Sequence, residues 1–218
     1  MRSIVMYTDG GCGQIEGSRG KRHRIWSWGI VALHDDTHVE LHGARRVPVG
    51  VDGRTEHELV AFIEAVLYAQ SHGFSPECSS YYTDDEFVGY CAFRASSSSS
   101  IRSCQRQAVL ERINDVCLRW YDIKTFYYLL ETFDKSRITK VKGHSTIVNN
   151  LRADYLATWA RLIEGPTSTK RFLSYDEWLN SHHTIQFWRR WVAPFTNVDT
   201  KIPAEFETWL AARQQANC

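Results

Sequence analysis

The sequence predicts an α/β fold, a mixed β-sheet with helices layered on it, and three observations carry that reading. Three strand-like runs follow one another up to Val47 with short turns, which is the pattern of an antiparallel meander. A helical pattern from Glu56 then precedes a fourth short apolar run. The whole order reads βββαβ, then helices, then βα. At 218 residues the chain is long enough for one domain, or one domain with an appendage.

Ile4 to Gly11 (Ile-Val-Met-Tyr-Thr-Asp-Gly-Gly) opens the sheet: β-branched and aromatic residues on both faces predict a covered strand. Asp9 is expected near its end, with Gly10-Gly11 allowing a sharp turn beside it. A loop rich in glycine and base runs from Gly13 to Arg24, followed by a second strand over Ile25–His34. Asp35-Asp36 is a turn, and a third strand covers Thr37–Val47. Thr55 can cap a helix from Glu56 to His72, whose Leu59, Phe62, Ile63, Val66 and Leu67 keep the helical period until Gly73 and Pro76 stop it. Ser79–Thr83 is a short strand and Glu86–Arg94 a short helix, with a serine-rich loop at 96–100. Helices are expected over Cys104–Trp120 and Asp122–Phe133, and a last strand over Ile138–Lys142. After the loop Gly143-His144-Ser145-Thr146, Asn150 is expected to cap a helix to Glu164, with Leu151, Tyr155, Leu156, Trp159 and Ile163 inward. Gly165-Pro166 marks a boundary, dividing a domain over 1–165 from a tryptophan-rich helical extension over 166–218.

Composition narrows the function. Lys plus Arg number 26 against 25 acids, so net charge alone does not announce a nucleic-acid partner. No apolar run is long enough to cross a bilayer and no secretory signal opens the chain, so no membrane partner is expected. Six scattered cysteines with no C-x-x-C pair argue against a zinc site and a dense disulfide framework, and fit a reducing cytoplasm.

Four acids stand out by position rather than by motif. Asp9 ends the first strand, Glu58 lies in the first turn of the first helix, Asp84 follows the fourth strand, and Asp154 lies one turn into the last helix of the domain. Each has an ordinary structural explanation: a turn, a favourable helix dipole, an N-cap that Asp85 can equally supply, a solvated flank. Gathered at one end of a sheet, four carboxylates repel unless cations lie between them, and hard divalent ions such as magnesium or manganese take oxygen ligands. Two such ions about 4 Å apart activate water and stabilise a leaving oxygen in phosphodiester cleavage.

The chain resembles the type 1 ribonucleases H. The resemblance lies in Tyr-Thr-Asp9-Gly-Gly-Cys, Trp28-Gly-Ile-Val, Thr55-Glu-His-Glu58-Leu, Tyr-Thr-Asp84-Asp-Glu-Phe-Val, and Val141-Lys-Gly-His144 with Asn150-Leu-Arg152-Ala-Asp154, in that order over residues 2–164. It implies the ribonuclease H-like fold: five strands, three antiparallel and then two parallel, flanked by helices. It also implies metal-dependent hydrolysis of the RNA strand of RNA–DNA hybrids, leaving a 5′-phosphate and a 3′-hydroxyl. Asp9, Glu58, Asp84 and Asp154 would hold two Mg2+, with Mn2+ able to substitute, and His144 on its loop would assist proton transfer or product departure. Nucleic-acid contacts are expected from Gly10, Gly11, Cys12, Arg54, Thr55, Glu86, Asn150, Arg152 and Trp120, in a monomer. Arg54-Thr55 and Glu86 stand where the family often has asparagine or glutamine; an arginine can grip phosphate, and a glutamate can accept from a 2′-hydroxyl. Arg102, Arg106, Arg112 and Arg119 suggest a duplex-gripping helix or a plain solvated face. In the extension, Phe187-Trp188-Arg189-Arg190-Trp191 with Trp178 and Trp209 either stacks on bases or packs on the parent domain.

Other classes are open. Tyr82-Thr-Asp84-Asp85 also spells the Y-x-D-D of reverse transcriptases, but a helical pattern follows it where that motif needs a strand. Proofreading exonucleases place a glutamate two residues after the first aspartate, where this chain has Gly11. A structure-specific nuclease acting on DNA or duplex RNA, and a non-catalytic nucleic-acid-binding protein, are the alternatives.

Overall fold

The computed structural model describes residues 2–16, 22–47, 56–96, 103–142, 147–163 and 172–179. Thr55, Arg54, His144, Arg102, the core of the serine run, and Trp188, Trp191 and Trp209 lie outside them.

Five strands form one sheet: β1 (Ile4–Glu16), β2 (Arg22–His34), β3 (Thr37–Arg46), β4 (Ser79–Thr83) and β5 (Arg137–Lys140). Their order is β3-β2-β1-β4-β5, with β1–β2 and β2–β3 antiparallel and β1–β4 and β4–β5 parallel. The turn between β2 and β3 puts Asp35 at φ 50, a left-handed conformation that aspartate tolerates better than most residues. The helices are α1 (Glu56–Ser71), α2 (Glu86–Ser96), α3 (Ser103–Trp120), α4 (Ile123–Lys135), α5 (Val148–Ile163) and the short α6 (Tyr175–Leu179).

Strand alternation sorts the core onto two faces. Ile4, Met6, Trp26, Ile30 and Ala32 point to one side, where Leu59, Phe62 and Ile63 of α1 and the inner residues of α2 to α4 cover them. Each fully buried side chain of this size contributes roughly 1.5–3 kcal/mol by leaving water. Val31 lies on the other face against Ala153 and Leu156 of α5, with Tyr7, Leu33, Tyr155 and Phe172 packed around them. Among the described residues the five cysteines form no disulfide, and no helix is long and apolar enough to cross a membrane.

Three expectations need correction. β1 does not stop at Gly11 but runs straight to Glu16, pairing with β2 through Glu16↔Arg22, so most of the expected basic loop is the arms of a long hairpin. Gly10 is needed for space rather than for a turn: a Cβ there would lie 2.6 Å from the carbonyl carbon of His57 and 2.7 Å from the Glu58 nitrogen. α4 begins at Ile123 because Asp122 caps it, accepting from the Thr125 N–H at 2.9 Å. α5 begins at Val148, so Asn150 lies inside the helix and does not cap it.

Candidate metal centre

The centre forms where β4 ends beside β1. The two parallel strands pair up to Thr8↔Thr83, whereas β1 continues alongside β2 with Asp9↔Gly29. Asp9 therefore follows the last paired residue on β1, as Asp84 does on β4. Asp85 takes the capping task on α2, accepting from the Val88 N–H at 2.8 Å, while its own N–H donates to Thr83 Oγ1 at 3.2 Å. That leaves Asp84 for the cluster. Glu58 is brought in by the close approach of α1 to Gly10, whose N–H donates to Glu58 Oε2 at 2.8 Å.

Single carboxylate oxygens of Asp9, Glu58 and Asp84 all lie within 4.8 Å of one another. Asp154 reaches Asp9 from α5, close enough for a hydrogen bond between their carboxyl groups. Gly29 admits α5 at this height, since a Cβ there would meet the Ala153 carbonyl oxygen at 2.1 Å. Asn150, buried on the same helix, donates from Nδ2 to Asp84 Oδ2 at 3.4 Å.

Electrostatics set the character of the cluster. Burial pushes the Asp9 carboxyl well above the usual range, and the charges of Glu58, Asp154 and Asp84 push it further. Burial also raises Glu58, followed by the charges of Asp84 and Asp85, against which the Gly10 N–H pulls down. Such a group of acids is stabilised either by protons or by a cation held between them. The donors are all carboxylate oxygens, so the residues present fit a hard divalent cation.

The structure thus brings Asp9, Glu58, Asp84 and Asp154 together. It overturns two expected nucleic-acid contacts. Arg152 is fully buried, with Nε and Nη2 donating to Glu40 Oε1 and Oε2 at 2.8 and 2.7 Å, so it cannot reach a phosphate. Asn150 is 1% exposed and serves Asp84. Trp120 packs against Trp26 with ring centroids 5.5 Å apart, and the Arg45 guanidinium covers it. Glu86 is exposed at the start of α2 and ion-paired with Lys140. Gly10 commits its N–H to Glu58, Gly11 lies under Ser27 Oγ, and the backbone carbonyl of the exposed Cys12 accepts from Arg161 Nη1 at 2.8 Å.

The arginines of α3 are tied into helix packing. Arg106 donates to the Ala95 carbonyl at 3.2 Å, Arg112 stacks on Phe87, and Arg119 pairs with Asp115. Arg161, which pattern reading did not single out, lies against Gly11 and Gly13. Its spacing of seven residues from Asp154, which keeps it on the same face of α5, is the signal that points to it.

A five-stranded sheet of this order, with carboxylates gathered where its parallel pair ends, has the ribonuclease H-like architecture. The RNase H family model matches residues 1–161, and the chain belongs to that family, which makes its enzyme class ribonuclease H. No curated protein sequence matches. Among solved structures, the chain is similar to LC11-RNase H1, isolated from compost by a metagenomic approach and solved with an RNA/DNA hybrid, at 15% identity over 72% of this chain and 96% of that one, with a TM-score of 0.41. It is similar to the N-terminal RNase H domain of a Mycobacterium tuberculosis protein at 18% identity, over 72% and 98% of the two chains, with a TM-score of 0.42. It is also similar to the prototype foamy virus RNase H domain at 18% identity, over 74% and 96%, with a TM-score of 0.41.

Proposed function

We propose that this ribonuclease H hydrolyses the RNA strand of RNA–DNA hybrids, with Asp9, Glu58, Asp84 and Asp154 holding two divalent cations, Mg2+ or in its place Mn2+. The observation that carries the reading is the convergence of Asp9, Glu58 and Asp84 where β4 ends beside β1, with Asp154 of α5 against Asp9. When bound, the cations supply an activated water and charge stabilisation at the leaving oxygen. The protein's part is positioning. The Gly10 N–H orients Glu58, Asn150 orients Asp84, and burial keeps bulk water from screening the charges. His144 would assist proton transfer or product departure as the strand is cut into 5′-phosphate and 3′-hydroxyl ends. Arg161, beside the glycines of β1, offers a cation to the backbone of an approaching strand. Cytoplasmic residence and action as a monomer belong to the same reading.

The test is cleavage of one labelled RNA strand, offered as hybrid, as duplex RNA and as single strand, beside duplex DNA, with Mg2+ or Mn2+ and with a chelator. Cutting confined to the hybrid and lost with chelator is expected. Asp9→Asn should abolish it while leaving the circular dichroism spectrum intact, because a charge is lost with almost no change of shape. Wild-type turnover by that variant removes Asp9 from the site, and cutting of duplex RNA or DNA alone changes the substrate.

A further inference from the structure

The family match ends at residue 161, yet residues 172–179 are built into the catalytic domain through one buried charge. The Arg152 guanidinium is closed in by the rings of Tyr155, Phe172, Tyr175 and Trp178, with centroids 4.7, 5.4, 5.8 and 5.3 Å away, and three of those four rings belong to this segment. Trp178 is itself buried.

Among the described residues, hydrogen bonds tie the segment to residues 149–155 of α5. Arg152 Nη2 donates to the Leu173 carbonyl at 2.9 Å, the Leu173 N–H donates to Tyr155 Oη at 3.2 Å, and the Tyr175 hydroxyl donates to Asn149 Oδ1 at 3.4 Å. Those are the first two turns of α5, the turns that carry Asn150 and Asp154. On β3, Glu40 holds the guanidinium by both oxygens, and His38 lies edge-on against Tyr175 at 4.4 Å.

Simple packing does not require a buried arginine. Removing such a charge from water is costly, and an apolar residue of similar volume fills space at least as well. What a bidentate planar fork adds is orientation. The close contact at Gly29 sets how near α5 lies to the sheet at its middle, but not how its first turns are rotated. We infer that residues 172–179 are a brace, closed on Arg152 and Glu40, that fixes the rotation of the first turns of α5 and so holds Asp154 and Asn150 at the carboxylate cluster. Arg152 is accordingly a positioning residue, and the cation affinity of the centre depends on a segment outside the matched family region.

This rests on the metal-centre reading, and Mn2+ titration of the full chain separates the two. If the wild type binds no Mn2+, the metal-centre reading fails. If it binds, Trp178→Ala, which opens the cage wall, is expected to weaken Mn2+ binding by about 10-fold, the scale on which outer-shell partners act, and to lower kcat on the hybrid with KM little changed. Tyr175→Phe removes the hydroxyl that donates to Asn149 and keeps the ring, and it holds the test in hand should Trp178→Ala not fold; it should give a smaller loss in the same direction. Phe133→Leu, in the core on the opposite face, is the control: Tm falls and Mn2+ affinity does not. Wild-type Mn2+ affinity in Tyr175→Phe and in folded Trp178→Ala, whatever their Tm, overturns the brace.

Discussion

Two adjacent aspartates show how much a single backbone bond decides. Asp85 accepts from the Val88 N–H and caps α2, and Asp84 is thereby left to the cluster with Glu58 and Asp9. Asp85→Ala should cost about 1 kcal/mol of stability, the usual value of a lost cap, and leave Mn2+ binding nearly unchanged. Asp84→Asn should do the reverse, holding or raising Tm while Mn2+ affinity and cleavage collapse. Melting curves and a titration on the pair check this, and exchanged phenotypes would reassign the two residues. The sequence alone leaves that choice open, because either acid can cap a helix starting at Glu86. Other residues were misplaced for a related reason. Arg152 looks like a phosphate ligand in a linear reading, since its partner Glu40 is 112 positions away and three of its four cage rings come from beyond the matched region. Burial of a charge is a property of tertiary partners, and periodicity carries no record of them.

At the scale of elements, two glycines make opposite predictions. A Cβ on Gly29 would come within 2.1 Å of the Ala153 carbonyl oxygen and 2.6 Å of the Ala157 nitrogen, both backbone atoms that cannot step aside. Gly29→Ala should therefore lift α5, cost about 1–3 kcal/mol or more, and weaken cation binding with it. Gly89 lies inside α2 with nothing within 4 Å of its Cβ position, so Gly89→Ala should stabilise by roughly 0.5–1 kcal/mol. Thermal melts decide both.

The pairing of β3 with α5 has its own acid dependence. Burial alone would raise the Glu40 carboxyl, but hydrogen bonds from His38 and Arg152, with their charges, outweigh it and hold the pKa at about 2 against an ordinary 4.5. The groups facing Glu40 are His38 and His42 on its own strand and Arg152 on α5. A carboxyl depressed on folding stabilises above its unfolded pKa, and the stability is lost as pH falls toward the folded one. Denaturant unfolding of the wild type should thus lose stability between about pH 5 and pH 2 from this pair. Glu40→Gln should start lower at neutral pH and converge with the wild type across that window; parallel curves would contradict it. Most element boundaries were readable from hydrophobic period and turn residues. The continuation of β1 through Gly10-Gly11 was not, because a glycine pair signals a turn unless one knows that a helix must pass close by.

For the molecule as a whole, the order of strands was legible, and the acids could be picked out because Glu58 and Asp84 lie next to element starts and ends that the apolar pattern reveals, while Asp9 and Asp154 lie inside β1 and α5. The energetic consequence is that folding assembles a centre that repels itself. A cation that binds only the folded form should raise stability by about 2.7 kcal/mol when present at a hundred times its Kd, and chelator should take that away. A calcium or manganese titration followed by Tm is the check, and a Tm indifferent to every divalent ion would argue against the site.

β1 can also be viewed mechanically. From Asp9 onward it is held along one side by β2 and unsupported by β4 on the other, like a beam clamped along a single edge. The acids press on the free edge. Asp9 pairs with Gly29 of β2, the strand on which α5 rests at that same glycine. Positive charge held in the centre would relieve the acids' repulsion, and tighter strand hydrogen bonds with a firmer seating of α5 are the expected outcome. Cations bound there would in this sense be structural members, setting the stiffness of the sheet that carries them.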